Sequence, residues 1–397
     1  ILDKSTFAAV WAPRALYYLS GDNRLVPDIR WFLSRGSTLS TQIVRDLMQG
    51  PSTNMSAALH TAFPEGSALS VESVPVIDGT AVIDVTPNVL DVDDSTMQLL
   101  KRQISLSLPS TITDFELSVH GTVIESGPVS STDDSPPPEL QFIAVMQDGR
   151  FGTIVGGELA PIAGLSERID EIAGVRAVTL APDSKAAVVL SAAGAAWVSE
   201  QEIVTVDPRN DILVPSLDAL GYVWSYRPSQ PGAIEISRAD GFDSMLAVPW
   251  LEGRHAVALR VSTGGNHVAA LVEDDGGSEV LVAGIVRDEN GQPVGLTDEA
   301  TTQLWMQGAP IDLDWIGDTR FVTLTESGLL GSSARVTLGV VGNFSTDAGA
   351  VAGGVSVSGG SRSLLRVLDD QGRLLSPQGV TAWQQSQTDI ELVAKVG

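Results

Sequence analysis

Residues 127–138 read Gly-Pro-Val-Ser-Ser-Thr-Asp-Asp-Ser-Pro-Pro-Pro, a composition that cannot contribute to a hydrophobic core. Three successive prolines fix φ and donate no backbone hydrogen bond, so an extended polyproline form is favoured there. The segment divides the 397 residues into two unequal parts, each of which must find its own core. Size agrees, since a single core usually stops growing at roughly 250–300 residues. The expected organisation is residues 1–14 as the remnant of a preceding region, 15–126 as a first domain, 127–138 as linker and 139–397 as a second domain.

The first part mixes helical and strand periodicities. Ala15-Leu-Tyr-Tyr-Leu-Ser20 predicts a strand ended by Gly21-Asp22-Asn23. Ser37 or Thr38 then caps a helix with Leu39, Ile43 and Leu47 on one face, stopped by Gly50-Pro51. A second short helical stretch is expected over 54–62. Leu69, Val71, Val74 and Val76 lead to a tight Asp78-Gly79 turn, after which Ala81, Ile83 and Val85 resume alternation. Ser95 is the candidate cap of a further helix ending at Pro109, and Phe115, Leu117 and Val119 mark a last strand. The order β-α-β-β-α-β predicts an α+β plait with two helices on one face of an antiparallel sheet.

From Glu139 onwards the pattern changes, and an apolar strand, a polar turn and a second apolar strand recur. Val175–Leu180 with Ala186–Leu190, Val257–Val261 with Val268–Val272, and Ile311–Trp315 with Phe321–Leu324 are the clearest copies. The phrases Val223-Trp224 to Ile234–Ile236 and Leu364–Val367 are weaker ones. The grammar is that of propeller blades, none of which can bury both faces alone. At about 40–45 residues per blade the second part predicts an all-β propeller of about six blades, with a range of about five to eight.

Charge excludes some functions. The net charge is −25, whereas a nucleic-acid binder needs cations to displace phosphate counterions. The same balance disfavours adsorption to an anionic membrane surface. The chain has no cysteine, which removes disulfides, thiolate catalysis and thiolate-bound zinc. No apolar run approaches the roughly 20 residues that span a bilayer. The chain opens on Ile1 and not Met, so a targeting segment upstream is compatible with it.

No phosphate-cradling glycine loop, dinucleotide fingerprint or nucleophile elbow is present. His60, His120, His255 and His267 have no metal-ligand spacing and read as surface or turn residues. Acidic clusters occur at Asp91–Asp94, Glu273–Gly276, Asp288–Gly291, Asp312–Asp314 and Asp369–Gly372. Paired carboxylates can serve a glycosidase, and oxygen-rich loops can hold calcium, but none matches an EF-hand and three run into glycine as turns do. Turn chemistry is therefore the expectation for them. Trp197, Trp224, Trp305 and Trp315 lie in or beside strands, where wedge packing between blades is expected over a sugar-stacking platform. No catalytic, cofactor-binding or metal-ligating residue is assigned, and no cofactor is expected.

Four phrases carry a resemblance. Leu16-Tyr-Tyr-Leu-Ser-Gly-Asp-Asn-Arg-Leu-Val-Pro27, Leu47-Met-Gln-Gly-Pro51, Ala62-Phe-Pro-Glu-Gly66 and Ala81-Val-Ile-Asp-Val85 resemble the GerMN domain, first described in sporulation and germination proteins. A GerMN domain followed by a propeller resembles the LpqB lipoproteins of actinobacteria. That resemblance implies a non-enzymatic lipoprotein on the outer face of the plasma membrane. It also implies association with the extracytoplasmic part of the MtrB sensor histidine kinase and modulation of MtrA–MtrB two-component signalling in cell-wall and division control. The family's signal peptide, lipidated cysteine and leading region are not in this sequence, so contact with the membrane is expected only through an anchor outside it. A cell-wall glycan-binding or glycan-hydrolysing propeller is the alternative expectation.

Overall fold

The computed structural model describes residues 4–34, 38–124, 140, 142–328 and 332–397. The predicted linker 127–138 and the candidate cap Ser37 lie outside the described residues. The chain divides into two compact units, residues 1–135 with 286–292, and residues 136–285 with 293–397.

In the first unit, helix α1 (Lys4–Val10) leads into strand β1 (Trp11–Ser20), which pairs antiparallel with β2 (Leu25–Leu33). Strand β2 falls outside the sequence expectation because Pro27 interrupts its alternation. It tolerates proline as the edge of a sheet ordered β2-β1-β3. Pro27 stands opposite Tyr17, whose own N–H turns away to Ser107 Oγ at 2.9 Å, so no ladder bond is lost. Helix α2 (Leu39–Gln49) follows, and Gly50 at φ 95° ends it.

Residues 54–62, expected as helical, instead form successive turns that end in β3 (Leu59–His60), paired with β1. Met55, Ala58, Leu59 and Ala62 are all buried. Their helix-like spacing is met by turns with bonds such as Ala58 N–H to Met55 O at 2.9 Å. The expected hairpin is present as β4 (Val76–Ile77) and β5 (Thr80–Val85). Asp78 (φ 50°) and Gly79 (φ 85°) make the turn, with both central residues at positive φ as a two-residue hairpin loop favours.

Helix α3 (Asp94–Ser107) is capped by Asp93 and not Ser95: Asp93 Oδ1 accepts the Thr96 N–H and the Ser95 hydroxyl, each at 2.7 Å. It carries the chain back so that β6 (Asp114–Val119) pairs parallel with β5 before β7 (Thr122–Val123) closes the edge. The expected wholly antiparallel sheet is thus replaced by a three-stranded sheet and a mixed sheet ordered β4-β5-β6-β7. A helical crossover is what parallel pairing requires. One core, including Leu16, Tyr18, Ile43, Leu47, Ile83, Leu100 and Leu117, joins both sheets to α2 and α3.

The second unit contains six sheets among the described residues. Sheet I holds 144–147, 150–155, 158–160 and 390–393; sheet II holds 177–180, 186–191, 194–199, 203–207 and 395–396. A short helix, α4 (Ser166–Asp170), lies between sheets I and II in the sequence. Sheet III covers 216–247 and sheet IV 255–307. Sheet V covers 310–352 and sheet VI 354–387. The first strands of sheets II to VI touch in succession, and 390–393 touches both the first strand of sheet VI and that of sheet II. The circuit is closed, which makes the unit a β-propeller. Strand 390–393 pairs antiparallel with 144–147 and so supplies the inner strand of sheet I from the far end of the chain.

The clearest paired strand runs read from sequence become the first and second strands of their sheets. Ala186–Ser191 and His267–Val272 are buried at every residue, because each is covered by neighbours on both faces. Small and β-branched side chains suit that thin space, which explains continuous apolar runs where a half-buried strand would alternate.

The turns between strands repeat one device. Gly221, Gly291 and Gly372 each donate N–H to the carbonyl three residues back, at 3.0, 3.0 and 3.1 Å, and each lies at positive φ. At the head of each turn stands an aspartate. Asp218 Oδ1 accepts the N–H groups of Leu220 and Tyr222, Asp288 Oδ1 those of Asn290 and Gln292, and Asp369 Oδ1 those of Gln371 and Arg373, all at 2.8–3.0 Å. Side-chain carboxylates thereby replace the backbone acceptors that a turn lacks.

Candidate functional site

Polar side chains converge where the inner strands of the second unit meet. Arg260, on the first strand of sheet IV, is 1% exposed. Its Nε lies 3.3 Å from Asp314 Oδ1 of sheet V, and its Nη1 donates to the Pro215 carbonyl at 2.9 Å and approaches Thr179 Oγ1 of sheet II at 3.4 Å. Asp314 is itself fully buried, and its Oδ2 accepts the Gly359 N–H beyond sheet VI's first strand at 2.7 Å. One arginine and one aspartate thus tie sheets II, IV, V and VI together.

A second knot lies at the closing strands. Lys395 Nζ donates to Asp312 Oδ2 and the Val357 carbonyl at 2.7 Å each, and to the Leu313 carbonyl at 3.3 Å. The same Asp312 oxygen accepts the Ser356 hydroxyl at 2.9 Å and the Val357 N–H at 2.8 Å. Burying charge is costly unless it is paired and hydrogen-bonded, and both conditions are met. Asp312 and Asp314 were the acidic pair for which turn chemistry is the sequence expectation. They are strand residues whose oxygens are engaged by fixed donors, an arrangement that holds strands together.

The other acidic clusters are placed as follows. Asp93 caps α3, and its carboxyl is held below the usual range chiefly by the Thr96 N–H. Asp275-Gly276 turns the 267–274 strand into the 277–287 strand, with Gly276 at φ 87°. Asp288 and Asp369 head the turns described above. Outside these clusters, burial and the nearby Asp207 raise Glu235, against the pull of Arg209. Arg209 Nη2 bridges Asp207 and Glu235 at 2.7 Å each, a clamp between sheets II and III that sequence reading misses because its partners are far apart along the chain.

Among the tryptophans, Trp224 and Trp315 are each 1% exposed and pack in the core, with indole N–H groups bonded to Asp218 Oδ2 (3.1 Å) and the Arg260 carbonyl (2.9 Å). Trp197 is half-buried against sheet II's core. Trp305 departs from the packing expectation: it is 50% exposed on an outer strand of sheet IV, its indole N–H on Asp274 Oδ2 at 3.2 Å. An edge strand has no neighbouring layer to cover it. His255 is exposed beside Glu273 and His120 sits in a turn at φ 47°. His267 departs from the surface expectation, being buried in sheet IV near Trp315. His60 lies on β3, where desolvation lowers its pKa. The described residues contain no group of three or more His, Asp or Glu side chains arranged to hold a metal ion.

The first unit carries a groove of about 380 Å3 between the C-terminal half of α2 and residues 67–72. Arg45, Met48 and Gln49 form one wall, and Ser67, Leu69 and Val71 are on the other. Residues flanking two of the phrases behind the sequence resemblance build the frame beneath it. Asp28 accepts the Ser52 N–H (2.7 Å) and hydroxyl (3.0 Å), and Arg30 Nη2 donates to the Gly50 carbonyl at 3.1 Å, which pins the end of α2 to β2. No helix among the described residues is long and apolar enough to cross a membrane.

Residues 149–391 match a family model described as the lipoprotein LpqB beta-propeller domain, and residues 15–125 match one described as sporulation and spore germination. Lipoprotein LpqB of Bifidobacterium longum is 23% identical over 319 residues, covering 76% of this chain and 52% of that protein. Lipoprotein LpqB of Streptomyces coelicolor is 24% identical over 323 residues, covering 72% of this chain and 51% of that protein. The chain spans about half the length of these curated relatives. Among solved structures, the first GerMN domain of the sporulation protein GerM from Bacillus subtilis is 20% identical, covering 31% of this chain and 94% of that one, with a TM-score of 0.25. A catalytically inactive virginiamycin B lyase from Staphylococcus aureus is 10% identical, covering 65% of this chain and 87% of that one, with a TM-score of 0.39.

Proposed function

From the premise that this chain belongs to the LpqB lipoprotein β-propeller family, we propose that it is a non-enzymatic accessory of a membrane sensor histidine kinase. In this reading the protein is held at the outer face of the plasma membrane by a lipid anchor. It binds the extracytoplasmic domain of an MtrB-like kinase and biases MtrA–MtrB signalling. The observation that carries the proposal is the family match across 149–391 together with the GerMN-type match across 15–125. The engagement of Asp312 and Asp314 by buried cations supports a binding role, since these carboxylates are committed to holding strands.

A modulator must bind the kinase's two states with different affinity, because equal affinity shifts nothing. The test measures binding of this chain to the isolated extracytoplasmic domain, alongside kinase output with and without the protein. Saturable binding at micromolar concentrations and altered output are expected. Absence of binding at tens of micromolar with unchanged output refutes the reading.

A second reading, a cell-wall glycan binder or glycan hydrolase, is favoured by the half-exposed Trp305 ring beside Asp274. Incubation with peptidoglycan fragments separates the versions. Released products indicate a hydrolase, co-sedimentation without products a lectin-like module, and neither outcome removes this reading.

A further inference from the structure

The groove beside α2 has an edge that no strand occupies among the described residues. Residues 68–77 run antiparallel to β5, on the side opposite β6. Ser70 N–H donates to Asp84 O at 2.8 Å, Thr86 N–H to Ala68 O at 3.0 Å and Val82 N–H to Pro75 O at 2.9 Å. Between these contacts the chain bulges onto α2, held by Val74 N–H to Thr41 Oγ1 at 2.9 Å and by Arg45 Nη2 to Glu72 O at 2.8 Å. Backbone groups alternate in direction along a strand. With those of Ala68 and Ser70 turned to β5, the N–H and C=O of Leu69 face outward. Among the described residues neither these groups nor those of Val71 have a hydrogen-bond partner.

The side chains of the two walls add two kinds of recognition. Met48, Leu69 and the 49% exposed Val71 present apolar surface. Arg45 is exposed and is the groove's one lining cation among the described residues, and it spends only Nη2 on the protein, leaving Nε and Nη1 unengaged. A volume of about 380 Å3 lies within the roughly 300–1,000 Å3 of ligand sites.

We propose that this groove captures an extended peptide segment of a partner protein, which adds as a strand outside Leu69–Val71 and sets an acidic side chain against Arg45. An edge of unpaired N–H and C=O groups is matched by another polypeptide backbone, and main-chain bonds then supply affinity while flanking side chains supply selectivity. Glu72 also lines the groove, so the preference for an acidic side chain is local to the free Nε and Nη1 of Arg45, for which carboxylate is the bidentate complement. The inference rests on reading the chain as a binding module and does not depend on the kinase being its partner.

The test selects a phage-displayed library of random short peptides on the whole chain, then measures synthetic copies of enriched peptides by fluorescence anisotropy. Enriched sequences are expected to combine an acidic residue with alternating apolar ones. Val71→Pro removes an N–H that the fold does not use, and Arg45→Glu reverses the charge. Each is expected to weaken binding by about tenfold or more, with Arg45→Lys retaining part of it. Amide exchange at Leu69 and Val71 should slow when peptide binds. No enrichment, or peptides that bind both variants undiminished and leave those amides unprotected, overturns the proposal. Peptide capture without kinase binding would retain the groove and reject the kinase; the reverse would reject the groove alone.

Discussion

Replacing Lys395 by Met tests whether the closing knot holds the ring. The ammonium lies 2.7 Å from Asp312 Oδ2, with the lysine side chain 5% and the aspartate 13% exposed. At that distance an effective dielectric of about 20 gives a gross attraction of roughly 6 kcal/mol. Most of it is offset by desolvation, but removing one partner leaves the other buried and uncompensated, which typically costs about 3–5 kcal/mol. Asp312 keeps the Ser356 hydroxyl and the Val357 N–H, so the lower end, about 3 kcal/mol, is expected. Guanidinium unfolding followed by tryptophan fluorescence reads this, because six of the eight tryptophans lie in the second unit. Two transitions should be fitted, since two units need not unfold together. The double variant Lys395→Met, Asp312→Asn keeps an acceptor for Ser356 and Val357 without an unpaired charge. It should recover about 1–3 kcal/mol relative to the sum of the single variants. A single-variant cost below about 1 kcal/mol, or strict additivity, would refute the reasoning.

Two further outcomes can be measured on the same preparation. Asp218→Ala removes the acceptor of two turn amides and of the buried Trp224 indole N–H, so it should cost about 2–3 kcal/mol and raise Trp224 mobility; an unchanged unfolding midpoint would refute the turn account. The Tyr226 phenol is pushed by burial up to about 12, from an ordinary value of 10.0. Its raised folded-state pKa means that stability is full below pH 10 and falls as pH rises towards 12, because the unfolded chain ionises first. Absorbance titration near the phenolate band checks it, and Tyr226→Phe should flatten that part of the stability profile.

The two halves of the chain were unequally legible. Strand runs such as Ala186–Leu190 and Val268–Val272 could be read because burial on both faces leaves a continuous apolar signature. Strand β2 could not, since the rule against Pro27 holds for a central strand and not for an edge. The turns over 54–62 imitate a helix because buried residues three and four apart serve either structure. The axial knots join residues 54 and 83 positions apart, a separation on which local patterns are silent. A signal was nevertheless present. Arg260, Asp314 and Lys395 each interrupt an apolar strand, and a charge in such a place must be either paired or exposed. The groove's open edge had no such signal, because it depends on which side of β5 each segment of chain takes.

The strand 390–393 that completes sheet I has a consequence for the order of events as the protein forms. Gln147 and Thr388, which bond across that junction, are 241 positions apart. Bringing such distant segments together costs about 3 kcal/mol more loop-closure entropy than a ten-residue hairpin does. The hairpins of every other sheet can assemble as the chain emerges, but 144–147 must wait until almost the whole length is available. During that interval its inner edge is open to other strands, including the equivalent one from a second molecule. A propeller closed in this way therefore has a period of vulnerability that begins with its first hairpin and ends with its last strand.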